Sequence, residues 1–293
     1  MFRNASFALL LAVASLTAAC KPTAPADVAP PVAADTGAAT STTAPPPVSP
    51  AEAEAPAPAP QTVLRDIFKE SVATADNVRL GDGRYVSYWS GHRFAVDGKR
   101  FFVGFAESTA ESEIEYPAQD DTVTLSQATY VLENGAWVLR GTQTGIGKFG
   151  SFEKPPQIDT DAQPQEIAVG GRYLLGIPTS ETAMAGARLD FYELFGFAPR
   201  DLSWTYLGYV AGGSDTRAGC TSDTDVPQPV KCAASAATLK FSPSASGNGW
   251  PALTVALDGE VVGANGEVRK ATPQDAVEYR FDVASGSYSK TLH

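Results

Sequence analysis

RYVSYWSGHRFAVDGKRFFVGFAE, residues 84–107, decides the fold class. Two runs rich in aromatic and β-branched side chains flank the pair Asp97-Gly98. Asp-Gly adopts positive φ cheaply and closes the type I′ turn whose twist suits antiparallel strands. The stretch therefore predicts a β-hairpin. TVTLSQATYVLE (122–133), Asn134-Gly135 and AWVLRGTQTG (136–145) predict another. Further Asp-Gly or Asn-Gly pairs stand at 82–83, 248–249, 258–259 and 265–266, and each is read as a turn. Strand-like runs follow at LDFYELF (189–195), SWTYLGYV (203–210), ATLKF (237–241), ALTVAL (252–257) and VEYRFDV (277–283). The one helix predicted is short, within TVLRDIFKESVA (62–73). The chain reads as all-β.

The chain also resembles itself. Tyr130-Val-Leu132 precedes Trp137, and Tyr192-Glu-Leu194 precedes Trp204. Each tryptophan opens the spacing Trp-x₃-Gly-x₃-Gly: Trp137, Gly141, Gly145, and Trp204, Gly208, Gly212. VGFAEST (103–109) and LGIPTSET (175–182) also correspond, and Tyr279-Arg-Phe281 with Tyr288 reads as a decayed third copy. Repetition on this scale implies antiparallel meanders, each burying one face against a neighbour. The repeat favours a propeller-like array over a β-sandwich, which fits the hairpins equally well. It also predicts equivalent core positions for Trp137 and Trp204.

If residues 85–94 are uniformly extended, Tyr85, Ser87, Trp89 and Arg93 share one face, and Val86, Tyr88, His92 and Phe94 the other. Aromatic and arginine side chains on one face are what interface anchors and sugar platforms use. Tyr85, Trp89 and Arg93 are thus the candidate binding surface, against the plainer reading of an ordinary core strand.

Catalytic chemistry is mostly excluded by residue type. His92 and His293 are the two histidines, no Gly-x-Ser-x-Gly elbow occurs, and no phosphate-cradling glycine loop leads into a helix. Ser-x-x-Lys occurs as Ser151-Phe-Glu-Lys154, followed by two prolines, and as Ser287-Tyr-Ser-Lys290 at the C-terminus; both read as chance matches. No zinc-ligand spacing is present. Glu107, Glu111, Glu113, Glu115, Asp120 and Asp121 crowd one stretch. Calcium is the one cofactor they would suit, yet they lack the alternating spacing of a calcium loop, as do Asp159-Thr-Asp161 and Asp223-Thr-Asp225. A solvated acidic loop is the simpler reading.

The N-terminus differs from the rest. Arg3 is followed by FALLLAVASL (7–16), an apolar run too short to span a bilayer, and by small residues up to Cys20. Leu16-Thr17-Ala18-Ala19-Cys20 resembles the lipobox of bacterial lipoproteins, with Thr17 where leucine is more usual. The resemblance implies cleavage after residue 19 and lipidation of Cys20. Lys21, rather than Asp, next to the cysteine implies sorting to the outer membrane in the enteric version of the family's rule.

Residues 21–61 hold 11 of the 22 prolines and no aromatic residue. Such a segment cannot bury enough apolar surface to offset its ordering entropy. It reads as a tether between the lipidated Cys20 and a single all-β domain, 62–293.

The formal charge is −11, and removal of residues 1–19 with Arg3 would make it −12. That excludes nucleic-acid binding, which needs cationic surfaces for phosphates. Cys220 and Cys232 form an even pair in an oxidising compartment and predict a disulfide. The whole reads as an outer-membrane lipoprotein with its domain in the periplasm, a non-enzymatic binding module. Its layout resembles that of periplasmic inhibitor and immunity lipoproteins, which implies a cationic periplasmic protein as partner. The alternatives are a cell-wall glycan ligand or an envelope-structural role, and a carboxylate-dependent hydrolase.

Overall fold

The two type I′ turns form as predicted, with φ of 52° and 72° at Asp97-Gly98 and 50° and 79° at Asn134-Gly135. A computed structural model describes residues 55–109, 117–183, 186–220, 230–242 and 249–291. A helix, α1 (Pro60–Phe68), comes first. It begins on Pro60, whose fixed φ suits a first helical turn, and stops at Lys69 in the left-handed region. It turns Val63, Leu64 and Ile67 inward. Strands β1 (Val78–Arg79), β2 (Tyr85–Val96), β3 (Lys99–Ser108), β4 (Val123–Glu133) and β5 (Ala136–Phe149) form one antiparallel meander.

The second sheet contains β6 (Gln157–Ile158), β7 (Gln165–Val169), β8 (Arg172–Thr182), β9 (Arg188–Ala198) and β10 (Ser203–Asp215). It continues through β11 (Ala234–Ser242), β12 (Ala252–Val262), β13 (Val268–Lys270), β14 (Val277–Asp282) and β15 (Ser287–Lys290). Along its main path the order is β15-β14-β12-β11-β10-β9-β8-β6, with β13 beside β12 and β7 beside β8.

The layering follows from which faces are apolar. Phe94, Phe101, Phe105 and Leu125 of the first sheet meet Tyr173, Phe195, Phe197 and Trp204 of the second in one inner core. The outer face of the first sheet, with Phe102, Ala128 and Tyr130, is covered by α1. The outer face of β8–β10 is covered by the same sheet's later strands: Leu174, Leu194 and Leu207 pack with Leu239, Leu253, Val255 and Tyr279. The larger sheet therefore curls back over itself like half a barrel. The chain is all-β and built of antiparallel meanders, as expected. Its two sheets face one another across a shared core, a sandwich relation rather than a ring of blades.

Three expectations need correcting. Asp258-Gly259 is not a turn but lies within β12, opposite Ser235 on β11, where a Cβ on Gly259 would come within 2.4 Å of the Ala234 carbonyl oxygen. The glycine is there for close approach, not reversal. Ala55 is already buried, at 7% exposure, so the domain includes the last residues of the stretch read as tether.

Trp137 and Trp204, finally, are not equivalent. Trp204 is 1% exposed in the inner core, whereas Trp137 is half-buried on the outer face beside Phe102. The cause is register. Gly104 and Gly176, in the matching VGF and LGI runs, pair with Ala128 and Leu194. Four places beyond Ala128, Leu132 pairs with Trp137; four beyond Leu194, Ala198 pairs with Ser203. Trp204 is one residue out of step, and a one-residue slip sends a side chain to the opposite face.

Candidate binding site

The predicted surface on β2 does not assemble on one face. The register of β2 against β3 shifts between Tyr88 and Ser90, so Trp89 is an extra, bulged residue. A bulge breaks the two-residue alternation and re-aims the side chains beyond it. Trp89 points inward, 4.9 Å from the Phe149 ring and 5.8 Å from Phe195, and its indole N–H donates to the Pro156 carbonyl at 2.9 Å. Arg93 lies on the outer side and donates to the Ala55 carbonyl at 2.9 Å. Trp137 donates to the same oxygen at 3.4 Å. Tyr85, half-buried, pairs with Arg79 on β1. Arg93 and Trp137 thus hold the segment that leads into α1, while Trp89 belongs to the core.

His92 forms a cross-sheet contact. Its Nε2 lies 2.8 Å from Glu166 Oε2, which also accepts a hydrogen bond from the Tyr173 hydroxyl at 2.5 Å. The His92 contact, ahead of the tyrosine, holds the Glu166 carboxyl below the usual range. Among the described residues no hydroxyl or thiol hydrogen-bonds His92, so the pair joins β2 to β7 and β8 without a nucleophile to activate. Ser151-Phe-Glu-Lys154 is a tight turn with positive φ at Phe152 and Glu153, closed by backbone hydrogen bonds between Ser151 and Lys154. Among the described residues no hydrogen bond joins the Lys154 amine to the Ser151 hydroxyl.

The predicted disulfide is formed: Cys220 and Cys232 are joined with their Cα atoms 5.0 Å apart. Cys20, Glu111, Glu113, Glu115 and Asp223-Thr-Asp225 lie outside the described residues. Asp159 pairs with Arg188 at 2.7 Å, and Asp121 accepts from the Ala118 amide. Among the described residues no group of three or more His, Cys, Asp or Glu is placed to hold a metal ion.

Sequence reasoning missed the cleft that best combines shape with chemistry. Glu193 sits on the inward face of β9 and is 3% exposed. The Tyr206 hydroxyl donates to its Oε2 at 2.5 Å, and the fully buried Thr179 lies beside it. Burial raises the Glu193 carboxyl to about 7; Tyr206 opposes that rise and the nearby Glu181 adds to it. Burial, then the Glu193 charge, raises the Tyr206 hydroxyl in turn.

Above Glu193 opens a cleft of about 180 Å³ lined also by Gln119, Ser151, Glu181, Phe191 and Tyr209. Tyr209 is 59% exposed and stands edge-on to Phe191 with ring centres 5.4 Å apart. Phe152, next to Ser151, is also exposed. The charged side chains of this lining are Glu181 and Glu193, both carboxylates. Acids at the floor and aromatic rings at the lip favour a cation, through charge pairing below and ring-face attraction above.

Glu193 carries no sequence signal of its own: FYELFGF reads as a strand, and only pairing partners show that its acid points into the core. A second buried acid, Glu107, belongs by sequence to the acidic run read as a solvated loop. It lies on the inner face of β3 beside Ser87, and burial raises its carboxyl to about 7, with the charge of Asp76 adding to the rise. Comparison with protein-family models, with curated proteins and with solved structures finds no match for the chain.

Proposed function

We propose that the chain is a membrane-tethered envelope lipoprotein whose β-domain binds a partner without turning it over. The partner we assign is a cationic periplasmic protein that inserts a lysine or arginine side chain into the Glu193 cleft. One observation carries this reading: a buried carboxylate forms the floor of a cleft whose charged lining is entirely acidic and whose rim is aromatic. The net charge of −11 adds long-range attraction for such a partner. The lipobox-like LTAAC and the proline-rich stretch after it support the tether. Among the described residues no helix is long and apolar enough to cross a membrane.

Calorimetric titration of the chain with hexa-arginine at pH 8 tests the binding. Glu193→Gln is expected to weaken it about tenfold, the loss of one well-placed charge-assisted contact. Asp82→Asn, which removes an exposed charge held only by Arg84, is expected to leave it unchanged. Equal binding by wild type and Glu193→Gln would contradict the site. Chemical turnover of an envelope polymer, lost in Glu193→Gln, would instead favour the hydrolase reading. For the tether, Cys20→Ser is expected to release the folded protein from the membrane fraction. A serine variant that stays in that fraction after a high-salt wash would exclude lipidation as the anchor.

A further inference from the structure

The hairpin end of β8–β10 carries a cleft of the opposite character. It opens between the Gly170-Gly171 turn, where φ is 60° and 72°, and the turn at 199–202, and it encloses about 390 Å³. Arg172 and Arg200 both line it, with the single acid Asp201. Of the twelve described arginines, seven (65, 84, 140, 188, 217, 269 and 280) each hold a carboxylate, and three that do not, Arg79, Arg93 and Arg100, lie outside this cleft. Neither Arg172 nor Arg200 has one within 4.0 Å among the described residues. In a protein this acidic, two arginines kept clear of its many carboxylates and brought to one cleft mark a place prepared for an external anion.

Arg172 is also pre-positioned. Its guanidinium carbon stands 4.5 Å from the centre of the Trp250 ring. Trp250 is 8% exposed and seated over Gly196, where a Cβ would come within 2.2 Å of the indole. A guanidinium stacked on a fixed ring loses little freedom when it grips an anion, and its planar fork matches a carboxylate or phosphate in two parallel hydrogen bonds. The cleft is too large for a bare ion alone. Ser203 and Thr205, two apart on β10 and so on one face, add hydroxyls to the same wall. At Gly171 a Cβ would meet nothing within 4 Å, so backbone is open at the rim.

We propose that this cleft binds an acidic sugar, the two arginines taking its carboxylate and Ser203 and Thr205 its ring hydroxyls. It is separate from the Glu193 cleft and its test is independent of that reading. The probe is a galacturonate oligosaccharide, compared at equal ionic strength with the neutral galactose oligomer and with inorganic phosphate, followed by amide chemical-shift changes. Galacturonate is expected to shift residues around 170–172 and 199–205 and to bind at least about tenfold more tightly than either comparison ligand. Arg200→Gln, at an exposed turn where folding is not at stake, is expected to weaken it about tenfold, and Arg172→Lys similarly by removing the two-pronged grip. Equal binding of the neutral oligomer overturns the arginine assignment. Phosphate binding as tight as galacturonate overturns the sugar, and shifts elsewhere or none overturn the site.

Discussion

Strands β3–β5 and β8–β10 begin from similar sequence and end in different surroundings. In both, a glycine on the first strand lets a large side chain from another element seat on the outer face: Val63 of α1 over Gly104, and Leu239 of β11 over Gly176. In both, the third strand carries two register shifts within ten residues of its tryptophan. Yet Trp137 faces outward to the segment before α1, while Trp204 faces inward and closes a buried polar ring. There its indole N–H donates to Thr129 Oγ1 at 3.0 Å, and its backbone N–H donates to Gln143 Oε1 at 2.7 Å. Gln127 links the two, accepting from Thr129 and donating to Gln143. A motif in sequence is thus not a motif in space: one residue of register decides which layer a repeated spacing serves.

The largest effect tests that difference. Trp204→Ala removes a fully buried ring and leaves buried hydrogen-bonding groups without partners, so about 3–5 kcal/mol of stability should be lost. Trp137→Ala, half-buried on the outer face, should cost about 1–2 kcal/mol. Urea unfolding of both variants checks this; equal losses would restore the equivalence that the sequence repeat suggests.

The next effect concerns Glu107 and Glu193, one on the inner face of each sheet. Both folded-state values lie near 7, above the ordinary 4.5, so the native state holds protons that the unfolded chain releases. The contribution of these two acids to stability is therefore fullest below about 4.5 and falls as pH rises to about 7, by about 3 kcal/mol for each. Glu193→Gln and Glu107→Gln should each flatten part of that slope. The two should also differ above pH 7, because Tyr206 hydrogen-bonds Glu193 Oε2 and Thr179 lies beside it, whereas Glu107 has Ser87 alone and its Oε2 has no hydrogen-bond partner. Glu107→Gln should be the more stabilising. Urea midpoints from pH 4.5 to 8 decide it, and a slope unchanged in both variants would exclude these acids as its source.

How much of this was legible depended on how local the signal was. Asp97-Gly98 and Asn134-Gly135 reported their turns because φ preference belongs to the residue itself. Asp258-Gly259 failed because the same pair also serves a strand that must pass close to its neighbour. The faces of β2 were misread because nothing in YWSG announces that Trp89 is bulged; the bulge appears only against the β3 register. The acid at Glu193 was invisible for a similar reason. One alternation is compatible with either face until the partner strand is known, and what makes Glu193 unusual is Tyr206 and Thr179 on other strands. The cysteine pair was readable because two cysteines joined by a short polar loop constrain each other without any strand-pairing information.

The smallest effects sharpen the comparison of the two glycines. A Cβ on Gly104 would come within 2.6 Å of Val63, a β-branched side chain stiff in its helix. One on Gly176 would come within 2.7 Å of the end of Leu239, which can turn away. Overpacking of this kind costs about 1–3 kcal/mol. Gly104→Ala should fall at the upper end and Gly176→Ala at the lower, measured by the same unfolding series. The reverse order would mean that α1 yields more readily than the curled sheet.

The most direct test of the binding account is the pH profile of hexa-arginine affinity. Because the free Glu193 carboxyl titrates near 7 and the bound cation requires it ionised, affinity should rise by about tenfold in total as pH climbs to about 7 and then level off. Glu193→Gln should bind weakly with no such rise. An affinity independent of pH in the wild type, or a rise that persists unchanged in Glu193→Gln, would contradict the assignment of this cleft as the binding site.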